Sequence, residues 1–194
     1  MKIAFIIFDK MTALDFIGVY DPVTRLKSMR FISDLNWDIC SYTREVCDDR
    51  GLRFTPTRIG ESLEIYDLVI VPGGFGTREL VDDKPFIKWL STSASSKLKA
   101  SVCTGSLLLG AAGFLEGKRA TTHRSAFSEL ERFCSEVVDR RIVDEGEVIT
   151  AGGVTSAIDL GLYLVEKIAG LAVKEKISNQ MNYPFAYNPN NSSG

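Results

Sequence analysis

The chain has 194 residues, 45% of them hydrophobic and 25% charged, with 25 acidic against 23 basic side chains and a net charge of −2. One domain of ordinary globular composition is expected, large enough to bury about 70% of its unfolded surface without a disulfide or a metal. The composition excludes extended disorder, collagen and a coiled coil, and the even charge balance excludes a basic nucleic-acid face.

Met1 to Phe8 is apolar, stops at Asp9 and has no small-residue cleavage site after it. It reads as a buried first strand, Ile3 to Phe8, and not as a leader, so a cytoplasmic protein is expected. Leu14 to Met29 reads as a helix that Pro22 bends or interrupts. Trp37 to Tyr42 is a second strand. Leu52 to Ile59 is strand-like, but Pro56 assigns it to an edge. Leu68 to Val71 is a third buried strand, ending at Pro72-Gly73-Gly74, and Leu80 to Ser91 is helical.

Leu98 to Val102 is a strand and Thr104 to Gly113 a helix. The surrounding uncharged stretch, Ala100 to Leu115, is too short and too rich in Ser, Thr and Gly to span a bilayer. A short strand near Ala120 to Thr122, a helix from Ser125 to Phe133, and strands at Val137 to Val143 and Val148 to Ala151 follow. A long amphipathic helix, Thr155 to Ala169, is closed by Gly170, and a last helix runs from Ala172 to Met181. Residues from about 182 to 194 form a tail rich in Asn, Pro and Ser. Strands alternating with helices define one α/β domain over 1–194, with a mainly parallel sheet. In such sheets ligands sit beyond the carboxyl ends of the strands.

Two glycine-rich segments fail as nucleotide motifs. Gly74-Phe75-Gly76 has Glu79 where a dinucleotide fingerprint needs glycine. The run from Gly113 to Lys118 is one residue short of a P-loop and is followed by Arg119. The cysteines at 40, 47, 103 and 134 form no C-x-x-C pair and read as free thiols. With His123 the sole histidine, no zinc site of Cys and His can be assembled, and no metal is expected.

The chemistry gathers around Cys103. An apolar strand ends there and a helix begins at once, with Ser101 and Gly105 at ±2, a strand-turn-helix elbow. Amide groups at the helix start and the helix dipole are expected to favour thiolate over thiol. An ordinary thiol, with a pKa of about 8.5, is only a few per cent ionised at neutral pH. Cys40, Cys47 and Cys134 read as ordinary small hydrophobes.

Gly73 and Gly74 follow a strand, and with the Thr104 amide their N–H groups can form an oxyanion-type hole. Asp15 follows the first strand at the same sheet edge. It is either a helix cap or a carboxyl that shares a proton with the thiol. Asp21 reads as a local surface residue. His123 either orients the thiolate or is a hydrogen-bonded structural histidine. Gly152 and Gly153 either make a turn before an N-cap at Thr155 or Ser156, or line the pocket floor. Phe16, Ile17 and Phe75 are candidate pocket walls.

These pieces together resemble the ThiJ/PfpI superfamily, a branch of the class I glutamine-amidotransferase-like fold, from Lys2 to about Gln180. Within it they are most similar to the isonitrile hydratase branch. The likeness lies in Val102 to Leu107 with Gly110 to Leu115, in Ala120 to His123, in Ala151 to Asp159, and in Leu14-Asp15 with Gly18. The resemblance implies a flavodoxin-like three-layer sandwich with helices on both faces of the sheet. It implies Cys103 as nucleophile, Asp15 as its acid/base partner and Thr104 as a needed neighbour. It implies Gly73, Gly74, Gly153 and His123 around the substrate, no cofactor, and a homodimer acting on a small molecule. Asp15 favours the hydratase branch, since many superfamily members carry Glu there. Arg124 departs from the aromatic found in many relatives and bears on the pocket wall. Thr104 after the cysteine, in place of His, disfavours a peptidase. The elbow also resembles the sensor domain of AraC-type regulators, but too little chain follows Gly170 for a helix-turn-helix pair. Two other activities stay open: glyoxalase-like hydration of an α-oxoaldehyde, and oxidative-stress sensing through Cys103.

Overall fold

The computed structural model describes residues 1–184. The expected tail lies outside the described residues from 185 onward. The strands in chain order are β1 (Lys2–Ile6), β2 (Asn36–Ser41), β3 (Val46–Cys47), β4 (Arg53–Phe54), β5 (Arg58–Ile59), β6 (Leu68–Val71), β7 (Leu98–Val102), β8 (Arg119–Ala120), β9 (Glu136–Val137), β10 (Ile142–Asp144) and β11 (Val148–Ala151). The helices are α1 (Ala13–Ser28), α2 (Thr77–Leu80), α3 (Lys84–Ser91), α4 (Gly105–Ala111), α5 (Phe127–Leu130), α6 (Ser156–Ala169) and α7 (Leu171–Gln180).

Seven strands make the central sheet in the order β10-β11-β7-β6-β1-β2-β5. All of its pairings are parallel except β10 with β11. Residues Ile3–Phe8 and all of β6 and β7 are buried; the first two are unbroken apolar runs, as strands covered on both faces require, while β7 also buries Lys99 and Ser101. The chain leaves β1 outward to β2 on one side and returns to β6 on the other. Loops after β1 and β6 therefore diverge, opening a crevice at the carboxyl edge of the sheet. The result is the expected three-layer, flavodoxin-like arrangement. Helices α1, α6 and α7 pack with one another, while α4 packs with α2, α3 and α5.

Helix α1 runs unbroken through Pro22, contrary to the expected interruption. The proline lies against α6 at Gly161, where an added Cβ would come within 2.5 Å of the Pro22 ring. One turn earlier a Cβ on Gly18 would come within 2.6 Å of Ala157 Cβ. These two glycines let α1 and α6 approach closely and fix where α1 begins over the crevice.

Several expected elements are shorter than their apolar patterns suggest. Within Leu80 to Ser91 only Lys84–Ser91 is one helix, since Leu80 ends α2 and Asp83 caps a new start by accepting from the Phe86 amide. Ser125 to Phe133 is a short α-helix between two 3-10 turns. Leu52 to Ile59 splits around Pro56, with β4 pairing to β3 as a hairpin and β5 at the sheet edge. Val137 to Val143 likewise splits between β9 and β10.

Phe16 is a core residue and not a pocket wall. It meets Phe5 at 6.0 Å and Phe54 at 5.6 Å between ring centroids, both edge-to-face. The Phe54 contact seats the β3–β4 hairpin over α1. Ile17 and Phe75 are exposed, at 43% and 69%.

Candidate active site

Cys103 stands between the last residue of β7 and the start of α4, with φ +53. A non-glycine residue in this left-handed region carries strain and persists only where its surroundings hold it. Four hydrogen bonds do so. The Cys103 N–H donates to both Ala151 O and Gly152 O at 2.9 Å. Its carbonyl accepts from Thr122 Oγ1 at 2.9 Å and from Ser106 Oγ at 3.2 Å. A Cβ on Gly105 would lie 2.4 Å from Val71 O, so the turn closes only with glycine at that position.

Asp15 lies in the first turn of α1, but its side chain does not cap the helix. It is fully buried, and its Oδ2 accepts from the Gly73 amide at 2.9 Å. The Gly74 amide donates to Thr104 Oγ1 at 3.0 Å. Both loop amides thus hold neighbouring site residues instead of standing free as oxyanion donors. Gly73 is the hub of the site. An added Cβ there would lie 2.6 Å from Thr104 N, 2.8 Å from Cys103 Cβ and 2.9 Å from Asp15 Oδ2. Gly74, at φ +134, takes a backbone conformation that other residues rarely adopt, and Thr77 Oγ1 braces its carbonyl at 2.8 Å.

The thiol and the carboxyl are electrostatically linked. Burial pushes the Asp15 carboxyl up to about 7, against the Gly73 amide and the Cys103 thiol, which favour the anion. Burial also pushes the Cys103 thiol up to about 12, and the Asp15 charge adds to the rise. The neighbouring Thr104 amide and hydroxyl oppose this, although the hydroxyl itself donates to Gly74 O at 3.2 Å. The thiol is therefore raised and not lowered, contrary to the expectation from the helix start. The reason is that α4 has only seven residues, and its dipole acts on a sulfur that is only 6% exposed beside a carboxylate. Each group raises or lowers the other's proton affinity, so the two titrate as a coupled pair.

His123 lies at the β11 end of the crevice. Its Nδ1 pairs with Ser125 Oγ at 2.8 Å and accepts from the Ser125 amide. An added Cβ on Gly153 would lie 3.2 Å from the His123 ring. Thr155 is the residue before α6 but makes no side-chain cap, and Arg141 donates to its carbonyl instead. Arg124 is paired with Asp139. Asp21 pairs with Arg25 one turn along α1.

All four cysteines are free. Among the described residues, no group of three or more His, Cys, Asp or Glu side chains is placed to hold a metal ion, and no helix is long and apolar enough to cross a membrane.

A buried carboxyl from the first βα unit, near a strained cysteine at a strand-helix elbow, marks this as an α/β protein of a recognisable class. Comparison with known proteins gives that class a family. The chain matches the DJ-1/PfpI family over residues 1–167 and belongs to it. It is 35% identical to isonitrile hydratase of Pseudomonas putida over 185 residues, 94% of this chain and 78% of that one. It is 31% identical to protein dj-1beta of Drosophila melanogaster over 114 residues, 58% of this chain and 59% of that one. A crystal structure of a ThiJ/PfpI family protein from Pseudomonas syringae superimposes with a TM-score of 0.85 at 28% identity, covering all of this chain and 78% of the other. The structure of Drosophila DJ-1beta, at 20% identity and a TM-score of 0.81, shares the fold over 95% of this chain and 98% of its own.

Proposed function

We propose that the protein hydrates an isonitrile to an N-substituted formamide, with Cys103 as nucleophile and Asp15 as acid and base. One observation carries the reading: a fully buried carboxyl, raised to about 7, is held by the Gly73 amide through Oδ2 where Cys103 also packs on Gly73, and its buried Oδ1 has no hydrogen-bond partner. A carboxyl titrating near neutrality can both take and return a proton, and general acid–base work needs that match. The likeness to the Pseudomonas putida hydratase supports the same chemistry.

The steps balance without a cofactor. Asp15 accepts the thiol proton as sulfur attacks the terminal isonitrile carbon, and then delivers it to that carbon, giving a thioimidate. Thr104, through its amide and hydroxyl, steadies the sulfur as charge develops. Asp15 next takes a proton from water, whose oxygen adds to the same carbon, and returns that proton to the nitrogen. Collapse breaks the carbon–sulfur bond as the new hydroxyl's proton passes through Asp15 to the sulfur, which releases the formamide and restores the thiol. At 6% exposure, Cys103 suits a slender, linear head group such as a terminal isonitrile.

The remaining roles follow from position. Gly73 and Gly74 hold Asp15 and Thr104, while Gly153 and His123 border the substrate at the β11 end. The chain acts on a small molecule, not on nucleic acid or a membrane, as a cytoplasmic homodimer. A second copy covers Leu14 and Ile17, which α1 leaves 46% and 43% exposed.

The test is formamide release from a simple alkyl isonitrile, with Cys103→Ala alongside. Turnover by the wild type and none by the variant is expected. Full activity in the variant overturns the scheme. No turnover by a folded wild type, with methylglyoxal converted to lactate instead, moves the site to the glyoxalase-like reaction.

A further inference from the structure

The proposed chemistry needs one carboxylate, yet a second stands beside it. Asp49 is at the tip of the β3–β4 hairpin, a segment that no sequence pattern marked. Its backbone is laced to the site. Lys10 N donates to Cys47 O at 2.7 Å, and Asp49 N to Met11 O at 3.2 Å. Met11 also bridges Gly74, and Thr12 N donates to Gly73 O at 2.8 Å. Residues 47–49, 10–12 and 73–74 are thus three adjacent strips of backbone, and the middle one leads straight into Asp15.

The tip itself is fixed. Asp48 Oδ1 accepts from the Arg50 and Leu52 amides at 2.9 and 2.7 Å. Asp49 keeps 11% side-chain exposure, and its Oδ1 is buried with no hydrogen-bond partner. A guanidinium nitrogen of Arg50, itself 72% exposed, stands 3.6 Å away. The Asp49 charge reaches Asp15 and opposes its ionisation. Lys10, in the same loop, is taken by Glu79 at 2.6 Å. The titratable groups that bear on Asp15 are Cys103 on the elbow and, more weakly, Asp49 on the hairpin, whose backbone lies along the strip leading into Asp15.

We propose that Asp49 is a specificity-determining residue that makes the site an anion filter: it excludes substrates bearing a negative charge and admits neutral or cationic ones. A buried carboxylate oxygen without a donor favours approaching N–H groups or cations and repels anions. This deepens the hydratase reading by fixing the charge class of the isonitrile, and rests on that reading only there. The filter itself is a property of the thiol's surroundings.

The test compares alkylation of Cys103 by neutral iodoacetamide and anionic iodoacetate, followed by peptide mass spectrometry. The ratio of the two rates cancels changes in thiol ionisation common to both reagents. In the wild type this ratio should exceed that of the urea-unfolded chain by about tenfold or more. Asp49→Asn should lower it by about fivefold, and Arg50→Gln, which strips the nearby cation, should raise it. A wild-type ratio equal to that of the unfolded chain, or one that neither substitution moves, overturns the proposal. If Asp49→Asn fails to fold, the Arg50→Gln arm decides.

In parallel, kcat/KM is compared for a neutral alkyl isonitrile and for the anionic isocyanoacetate. A shifted alkylation ratio without turnover of either isonitrile sinks the hydratase reading and leaves the filter. Turnover with an unmoved ratio does the reverse.

Discussion

Replacing Asp15 with Asn should make the protein more stable and inactive at once. A carboxyl raised from 3.8 to about 7 binds its proton more tightly in the folded state than in the unfolded one. Such a group stabilises the fold below pH 4, and that contribution is lost as pH rises toward 7. The separation corresponds to roughly 4 kcal/mol at about 1.4 kcal/mol per tenfold change in proton affinity. Asparagine keeps an oxygen for the Gly73 amide and removes the charge. Allowing for relaxation around Cys103, a gain of about 2–4 kcal/mol at pH 8.5 is expected, vanishing near pH 4. With a urea m-value of about 2–3 kcal/mol/M, the unfolding midpoint should rise by about 1 M at pH 8.5 and coincide with wild type at pH 4. Urea titrations at the two pH values, followed by fluorescence of Trp37 and Trp89, make the measurement. A variant less stable than wild type at pH 8.5, or a difference independent of pH, refutes the buried, raised carboxyl.

Other substitutions probe the supports of the site. Thr104→Val leaves the buried Gly74 amide without its acceptor, at a cost of about 1–3 kcal/mol, and removes the hydroxyl beside the sulfur. Formamide release should fall at least about tenfold, with Thr104→Ser restoring most of it; an active valine variant would exclude the hydroxyl from the chemistry. Gly18→Ala drives a methyl to 2.6 Å from Ala157 Cβ. Overpacking of about 1–3 kcal/mol, offset by about 1 kcal/mol of helix propensity, should lower the thermal midpoint by up to about 8 °C. A raised midpoint would mean that α1 and α6 separate freely.

The elbow was legible because its physics is local. An apolar strand, a cysteine and a small-residue helix start are contiguous, and the sheet rule places them at the carboxyl edge. Asp15 was legible for the same reason, one βα unit earlier. The raised thiol was not, because it depends on burial and on a carboxylate 88 positions away in sequence, which outweigh the local helix start. Gly73 and Gly74 were found as a motif, but their roles came only with their partners, one on α1 and the other on the elbow. Phe16 sits in an apolar helix face beside Asp15, and nothing local distinguishes a core aromatic from a pocket wall. Asp49 was missed altogether. The run Asp48-Asp49-Arg50-Gly51 reads as an ordinary polar turn, and only the backbone strips beside Met11 bring it to the site. Pro22 does not interrupt α1, and the facing glycine that makes room for its ring lies on another helix, far off in sequence.

Most bonds that fix the reactive pair and its neighbours join distant parts of the chain: 58 positions separate Asp15 from Gly73, and 30 separate Gly74 from Thr104. The segments that carry them follow β1, β6 and β7, three adjacent strands in the middle of the sheet. Such contacts form late in folding, since long loops must close first. They are also the last to open, because interior strands lie in the most slowly exchanging part of a native fold. Competence for chemistry therefore arrives and departs with the sheet as a whole, and fraying of the short outer strands leaves the thiol and its acid in register.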